Sequence, residues 1–233
     1  MPPLLKAQNL TKYYPGTTAL QKINLTLEAN TILGLLGPNG SGKSTFMRLA
    51  AGQTRPSAGE IFIKGMYPGI LQTKVLTSYM PEYDHIYNWM TVKESINFFS
   101  SFFPSFQEER TAEMLDFMKI PLQKNVGRLS HGLRARLKLV LAFSWDAALI
   151  LLDEPLSGID PASREKIIEG ILRSFSGEGK SIIISTHLVN EVEPLLNRVI
   201  FLRAGEIVMD GDADEMRAKF GYSLDQIIRR ELL

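Results

Sequence analysis

Nine residues constrain this chain more than any others: Gly37-Pro38-Asn39-Gly40-Ser41-Gly42-Lys43-Ser44-Thr45. They follow the apolar run at 32–36 and precede Phe46-Met47-Arg48-Leu49-Ala50, an order that reads strand, glycine-rich loop, helix. The spacing G-x-x-x-x-G-K-S is that of a phosphate-binding loop. Its glycines let the backbone curl until its N–H groups face a polyphosphate, and the helix N-terminus that follows adds partial positive charge. Lys43 is placed to reach the β- and γ-phosphates, and the Ser44 hydroxyl to ligate Mg²⁺. An ordinary glycine-rich turn would not need this strand-loop-helix setting.

The rest of the composition narrows the class. With 233 residues, 45% hydrophobic and 22% charged, the chain is expected to fold as one domain with a packed core. Its 26 basic and 25 acidic residues leave a net charge of +1. No nucleic acid bound by bulk charge is expected from that balance. The absence of cysteine excludes disulfides and thiolate zinc sites. The opening Met1-Pro2-Pro3-Leu4-Leu5-Lys6 lacks the apolar core of a signal peptide. No apolar run reaches the ~18–20 residues of a membrane span. A soluble cytoplasmic protein is the expectation.

Periodicity predicts strands at 4–10, 22–28, 31–36, 59–63 and 77–80. From Thr91 the texture turns helical. Thr91 and Glu94 form a capping-box pattern, with helices expected from 91, over 105–118 after Pro104, and over 130–145. Strand and helix then alternate: a strand at 148–152, a helix at 161–175 with Pro161 at its start, a strand at 180–185 and a helix at 188–196. A hairpin joins 199–202 to 206–209, and a tail from 213 is mostly helical. Buried β-branched strands separated by helices imply an α/β fold with a mainly parallel core sheet. The early strands suggest an added N-terminal antiparallel β layer, and about 90–140 reads as an inserted α-helical subdomain.

A second chemical signal is Leu149-Ile150-Leu151-Leu152-Asp153-Glu154, four apolar residues ending in two carboxylates. Ligands of α/β sheets gather at the carboxyl ends of strands. There Asp153 can hold Mg²⁺ opposite Ser44, and Glu154 can take a proton from water attacking a γ-phosphate.

These two motifs, together with Leu129-Ser130-His131-Gly132-Leu133, Ser157-Gly158-Ile159-Asp160 and Ser185-Thr186-His187, resemble in order and separation the ATP-binding subunit of an ABC transporter. The resemblance runs from Leu10 to about Gly211, with a short helical tail at about 212–233 beyond it. It implies a P-loop NTPase cassette that hydrolyses ATP with Mg²⁺ as cofactor. Catalysis would fall to Glu154, His187 and Lys43. The nucleotide would be held by Tyr14, the loop residues Gly37 to Thr45, Glu82, Ser130 and Gly132, and the metal by Ser44, Asp153 and Glu82. Tyr14, 23 residues before Gly37, stands where the family stacks an aromatic on adenine, with Tyr13 as the competing ring. His187 would hydrogen-bond the γ-phosphate. The resemblance further implies a homodimer, or a heterodimer with a paralogous ATPase, in which Ser130 and Gly132 grip the nucleotide of the opposite subunit and Asp160 crosses the interface. It implies a separate membrane permease, which would hold the chain on the inner face of the cell membrane.

Two places depart from the family pattern. The signature usually reads Leu-Ser-Gly-Gly-Gln, and here His131 and Leu133 replace a glycine and the glutamine. In Ser78-Tyr79-Met80-Pro81-Glu82 the family usually ends in glutamine; an ionised Glu82 can ligate Mg²⁺ but donates no hydrogen bond. The stretch running on to Glu94 resembles the ABC-2 type exporter branch. Alternatives are a soluble ABC ATPase not tied to transport, against which the lack of a coiled-coil insertion or second cassette argues, and a nucleotide-binding regulatory module with weak hydrolysis. Eight of the 21 aromatic residues fall in the 24 residues at 83–106. They read as the core of the helical insertion, with some lining a groove for a helix of a membrane subunit.

Overall fold

The computed structural model describes residues 2–175 and 179–231. Strands β1 (Leu5–Tyr14) and β2 (Thr17–Leu27) form a hairpin, and β3 (Ile32–Leu36) leads through the glycine loop into helix α1 (Lys43–Ala50). Then follow β4 (Ala58–Ile63), the short α2 (Leu71–Leu76) and β5 (Thr77–Met80). Helices α3 (Val92–Ser100), α4 (Glu108–Met118) and α5 (His131–Phe143) come next. The chain continues with β6 (Leu149–Asp153), α6 (Pro161–Ser174), β7 (Ser181–Thr186), α7 (Val189–Val192), β8 (Arg198–Arg203) and β9 (Glu206–Asp212). It closes on α8 (Ala213–Phe220) and α9 (Leu224–Glu231).

The strands form two sheets. The antiparallel one has the order β2-β1-β4, so the layer expected from the early strands also recruits β4, which follows the glycine loop. The core sheet runs β5-β6-β7-β3-β8-β9, parallel except for β9, which is antiparallel to β8. Strands β3, β6 and β7 are buried along their whole length, as strands covered on both faces must be. Their alternate side chains feed two separate cores. Ile150, Leu152, Ile182 and Ile184 pack with α3–α6, whereas Leu149, Leu151 and Ile183 pack with α1 and the antiparallel layer.

The helices α3–α5 all lie between β5 and β6, which are neighbours in the sheet. A 68-residue excursion, Pro81 to Ala148, therefore starts and ends at adjacent strands. It leaves the end of β5 beside the end of β6, where the carboxylates emerge. Boundaries differ from expectation in ordinary ways. Strands β1 and β2 are longer than 4–10 and 22–28, and α4 starts at Glu108 rather than at 105. The helix expected at 188–196 is one turn of α-helix followed by a 3₁₀ turn at Glu193–Leu195, because Pro194 cannot donate to the ladder. Residues Leu71–Leu76 form α2, which the periodicity does not mark.

Candidate functional site

The glycine loop lies where β3 hands over to α1. Gly42 caps the helix at φ 108°, and a Cβ there would meet the Ala19 carbonyl oxygen at 2.5 Å. No residue with a side chain fits, so β2 closes on the loop from behind. Lys43 is buried, and its Nζ donates to the carbonyls of Gly37 at 2.8 Å and Pro38 at 3.2 Å. It also pairs with Glu154 Oε1 at 3.4 Å. The lysine thus lies folded over its own loop, held by groups that a phosphate oxygen can replace.

Asp153 and Glu154 leave the end of β6 in different directions. Asp153 is 1% exposed and accepts three hydrogen bonds. Ser44 Oγ and Ser185 Oγ donate to Oδ1 at 3.1 and 2.5 Å, and the Tyr79 hydroxyl donates to Oδ2 at 3.2 Å. Burial, and after it the charge of Asp153, raise the Tyr79 hydroxyl well above its usual range, so it stays a donor. Glu154 sits at φ 49°, a left-handed conformation that strains a non-glycine residue by about 1 kcal/mol or more. Its N–H donates to the Ser185 carbonyl and hydroxyl, at 3.0 and 3.1 Å, which fixes the turn. Glu154 Oε2 meets His187 Nδ1 at 2.9 Å. The motifs at 153–154 and 185–187, distant in sequence, are brought together because β6 and β7 are parallel neighbours.

A cavity of about 390 Å³ opens in front of the loop, lined by Thr17 and Ala19 of β2, by Asn39, Gly40 and the residues Gly42 to Thr45, and by Glu82 and Glu154. Glu154 Oε1 is buried there with only the Lys43 ammonium beside it and no hydrogen bond among the described residues, and Ser41 Oγ of the same loop is likewise buried without one. Buried polar atoms left open in this way fit a polar ligand. Glu82 reaches this cavity from the loop after β5. That loop is held from α5, where the buried Lys138 Nζ donates to the carbonyls of Glu82 at 2.8 Å and Tyr83 at 3.2 Å. Burial pulls the Lys138 ammonium below its usual value. On the other side of the same loop is an apolar groove of about 490 Å³, walled by Tyr79, Tyr83, Phe99, Phe102 and Trp145 among others.

A family model described as "ABC transporter" matches residues 20–157. The chain belongs to the ABC transporter family. It is the ATP-binding, ATP-hydrolysing cassette that powers transport. Among curated relatives, the "ABC transporter ATP-binding protein YtrB" of Bacillus subtilis is 32% identical over 93% of this chain and 75% of its own length. The "Nod factor export ATP-binding protein I" of Rhizobium johnstonii is 34% identical over 90% of this chain and 70% of its own length. A solved "ATP binding subunit of ABC transporter" superposes with a TM-score of 0.87 at 25% identity, covering 97% of this chain and 98% of that one. A dimeric ATP-binding cassette bound to ADP and Pi shares the fold, with a TM-score of 0.79 at 22% identity over 89% of this chain and 98% of that one.

The remaining candidate residues of the cassette lie elsewhere. Tyr13 and Tyr14 are both exposed, at 55% and 39%, so neither is a core tyrosine. Tyr14 ends β1, three residues before the Thr17 that lines the cavity. His187 contacts Glu154 but stands among residues of a second, smaller cavity with Pro38 and Ile228 of α9. Ser130 and Gly132 sit at the start of α5, outside the lining of the phosphate cavity. Ser130 caps that helix, accepting from Leu133 N at 3.3 Å. A Cβ on Gly132 would lie 2.2 Å from Ser163 Oγ and 2.8 Å from Asp160 Oδ2, so α5 and α6 begin in direct contact. Asp160 caps α6, accepting from Ser163 N at 2.9 Å. Sequence reasoning missed Tyr79, Ser185 and Lys138 as supports of the site. A tyrosine in a strand and a lysine in an apolar helix carry no local sign of what they touch.

Proposed function

We propose that this cassette drives export through a separate membrane permease, working as an ATP-closed dimer of two such subunits. The observation that carries the reading is the carboxylate pair at the end of β6. Asp153 is bonded to Ser44 beside the phosphate loop, and Glu154 sits between Lys43 and His187. A polyphosphate entering the cavity takes over Lys43 from the loop carbonyls. Ser44 Oγ, Asp153 and Glu82 form an all-oxygen donor set with few carboxylates, which suits Mg²⁺ retaining several waters. When bound, that ion would neutralise charge on the β- and γ-phosphate oxygens. Glu154, released by Lys43 and oriented by His187, accepts the proton of the attacking water, and the imidazole faces the γ-phosphate.

Ser130 and His131 at the start of α5 are exposed and outside the cavity lining, open to a second subunit, while Gly132 is buried against α6. In this reading each site joins Lys43, Ser44, Asp153, Glu154 and His187 of one chain to Ser130 and Gly132 of the other, with Tyr14 under the adenine. The whole chain acts as one cassette, with about 90–140 as its helical insertion. The apolar groove receives a short helix of the permease, and the loop at 81–85 transmits its position, since Glu82 faces the nucleotide cavity while Pro81, Tyr83 and His85 face the groove. Among the described residues no helix is long and apolar enough to cross a membrane, in keeping with a permease on another chain. Export is favoured by the likeness to the Nod factor export protein.

Phosphate release by the wild type and by Glu154→Gln tests the chemistry. The variant is expected to keep ATP binding, lose turnover by about 10²-fold or more and accumulate as an ATP-bound dimer. Equal, negligible turnover in both proteins, with the permease supplied, favours the regulatory module instead.

A further inference from the structure

Asp153 has a buried carboxylate gripped from both neighbouring strands. From β7, Ser185 donates to Oδ1 at 2.5 Å, and from β5, Tyr79 donates to Oδ2 at 3.2 Å. Tyr79 pairs with Leu151 in the parallel register of β5 and β6, so its long side chain reaches two residues further, to the end of β6. Its ring packs against the core formed by α1 and the antiparallel layer and also lines the apolar groove. The third donor, Ser44 Oγ at 3.1 Å, is the one a metal would draw away.

We propose that Tyr79 is a positioning residue for Asp153, its hydroxyl fixing Oδ2 so that Oδ1 stays aimed at Ser44 and the metal held there. The proposal rests on reading Asp153 and Ser44 as the Mg²⁺ site. Hydrogen bonds to a metal-binding carboxylate set its orientation, and losing one typically costs 10-fold or more in metal affinity. With Ser44 turned to the metal, Ser185 and Tyr79 are left to hold the carboxylate, one on each oxygen. The same tyrosine touches the groove, so one side chain joins the groove wall to the metal carboxylate.

Tyr79→Phe removes the hydroxyl and keeps the ring, so packing in the groove wall and the core is retained. Mn²⁺ serves as the probe, its binding read by electron paramagnetic resonance on the full chain with a non-hydrolysable ATP analogue present. Mn²⁺ affinity is expected to fall about 10-fold in Tyr79→Phe, while analogue affinity without metal and the melting temperature stay at wild-type values. In an Asp153→Asn background, adding Tyr79→Phe is expected to change nothing further, because the group it positions is gone. Wild-type Mn²⁺ affinity in Tyr79→Phe, with affinity lost in Asp153→Asn, overturns the role of Tyr79 and leaves Asp153 as the metal residue. Equal weakening of metal-free and metal-dependent binding also overturns it, reducing Tyr79 to a packing residue. Undiminished Mn²⁺ affinity in Asp153→Asn overturns the metal site itself.

Discussion

Single residues carry the chemistry here, and those belonging to a local motif announce themselves. Lys43, Ser44, Asp153 and Glu154 were legible because a strand end, a helix start and a glycine spacing place them whatever the rest of the chain does. Tyr79, Ser185 and Lys138 were not, because their contacts depend on which strands become neighbours and on how α5 lies against the loop at 81–85. His85 belongs to this second kind. Its ring meets Phe99 edge-on at 6.0 Å and lines the groove. Burial, and then the positive charge of Lys138, lower its pKa from 6.5 to about 4. Asp84, the neighbouring acid, opposes that shift without reversing it. Between pH 6.5 and 4 the unfolded imidazole takes up a proton that the folded one refuses, so this residue removes stability as pH falls through that window. Allowing for its partial exposure, the loss is on the order of 2 kcal/mol. Denaturant titrations of the wild type and His85→Phe at pH 7 and pH 4.5 check it. The variant should lose distinctly less stability on acidification, and parallel losses would show that His85 is not the group responsible.

At the scale of elements, the predictions that held are those with a physical stop or start written in them. Pro161 opens α6 as expected, with Asp160 found as its cap, and Thr91 caps α3 with the reciprocal bond expected. Glu94 N donates to Thr91 Oγ1 at 3.2 Å and Thr91 N to Glu94 Oε2 at 2.7 Å. The same backbone N–H holds the Glu94 carboxyl below its ordinary value. Helix α3 carries Phe99 to the groove, with Phe102 just beyond its C-terminal end, so the helix bears on that surface. Thr91→Ala is expected to cost about 1 kcal/mol, a fall of roughly 2–4 °C in melting temperature for a chain of this size. Calorimetry reads this directly, and an unchanged transition would mean that packing alone fixes α3. Elements without such punctuation were harder to read. The hairpin of β1 and β2 shows register shifts, with Asn9 and Lys22 both at φ 47°, and bulges of this kind break the alternation from which strand length is judged. Helix α2 is six residues long, too short for a 3.6-residue period to stand out.

For the whole molecule, the decisive feature is that one chain holds the two halves of the proposed site in separate places. The phosphate loop, Glu82 and Glu154 line one cavity, with Asp153 bonded to its Ser44, while Ser130 and Gly132 open α5 outside that lining. Contact between Gly132 and the start of α6 ties that second half to the cassette, so in the proposed arrangement a second subunit completes each site. A two-fold dimer then contains two equivalent composite sites. Mixing two inactive variants separates this from a site completed within one chain. Lys43→Ala spoils a chain's own phosphate loop, and Ser130→Arg spoils what it offers its partner. In a mixed dimer one site carries both defects and the other carries neither. An equal mixture, half of it mixed dimers by random assortment, should recover up to about a quarter of wild-type phosphate release, rising from a baseline near zero for each variant alone. The recovery must depend on total protein concentration, because it requires association, and must vanish when both substitutions are placed on the same chain. If each variant alone were inactive and the mixture stayed so at concentrations where both dimerise, the two halves would belong to one chain's own site and the two-subunit arrangement would fail.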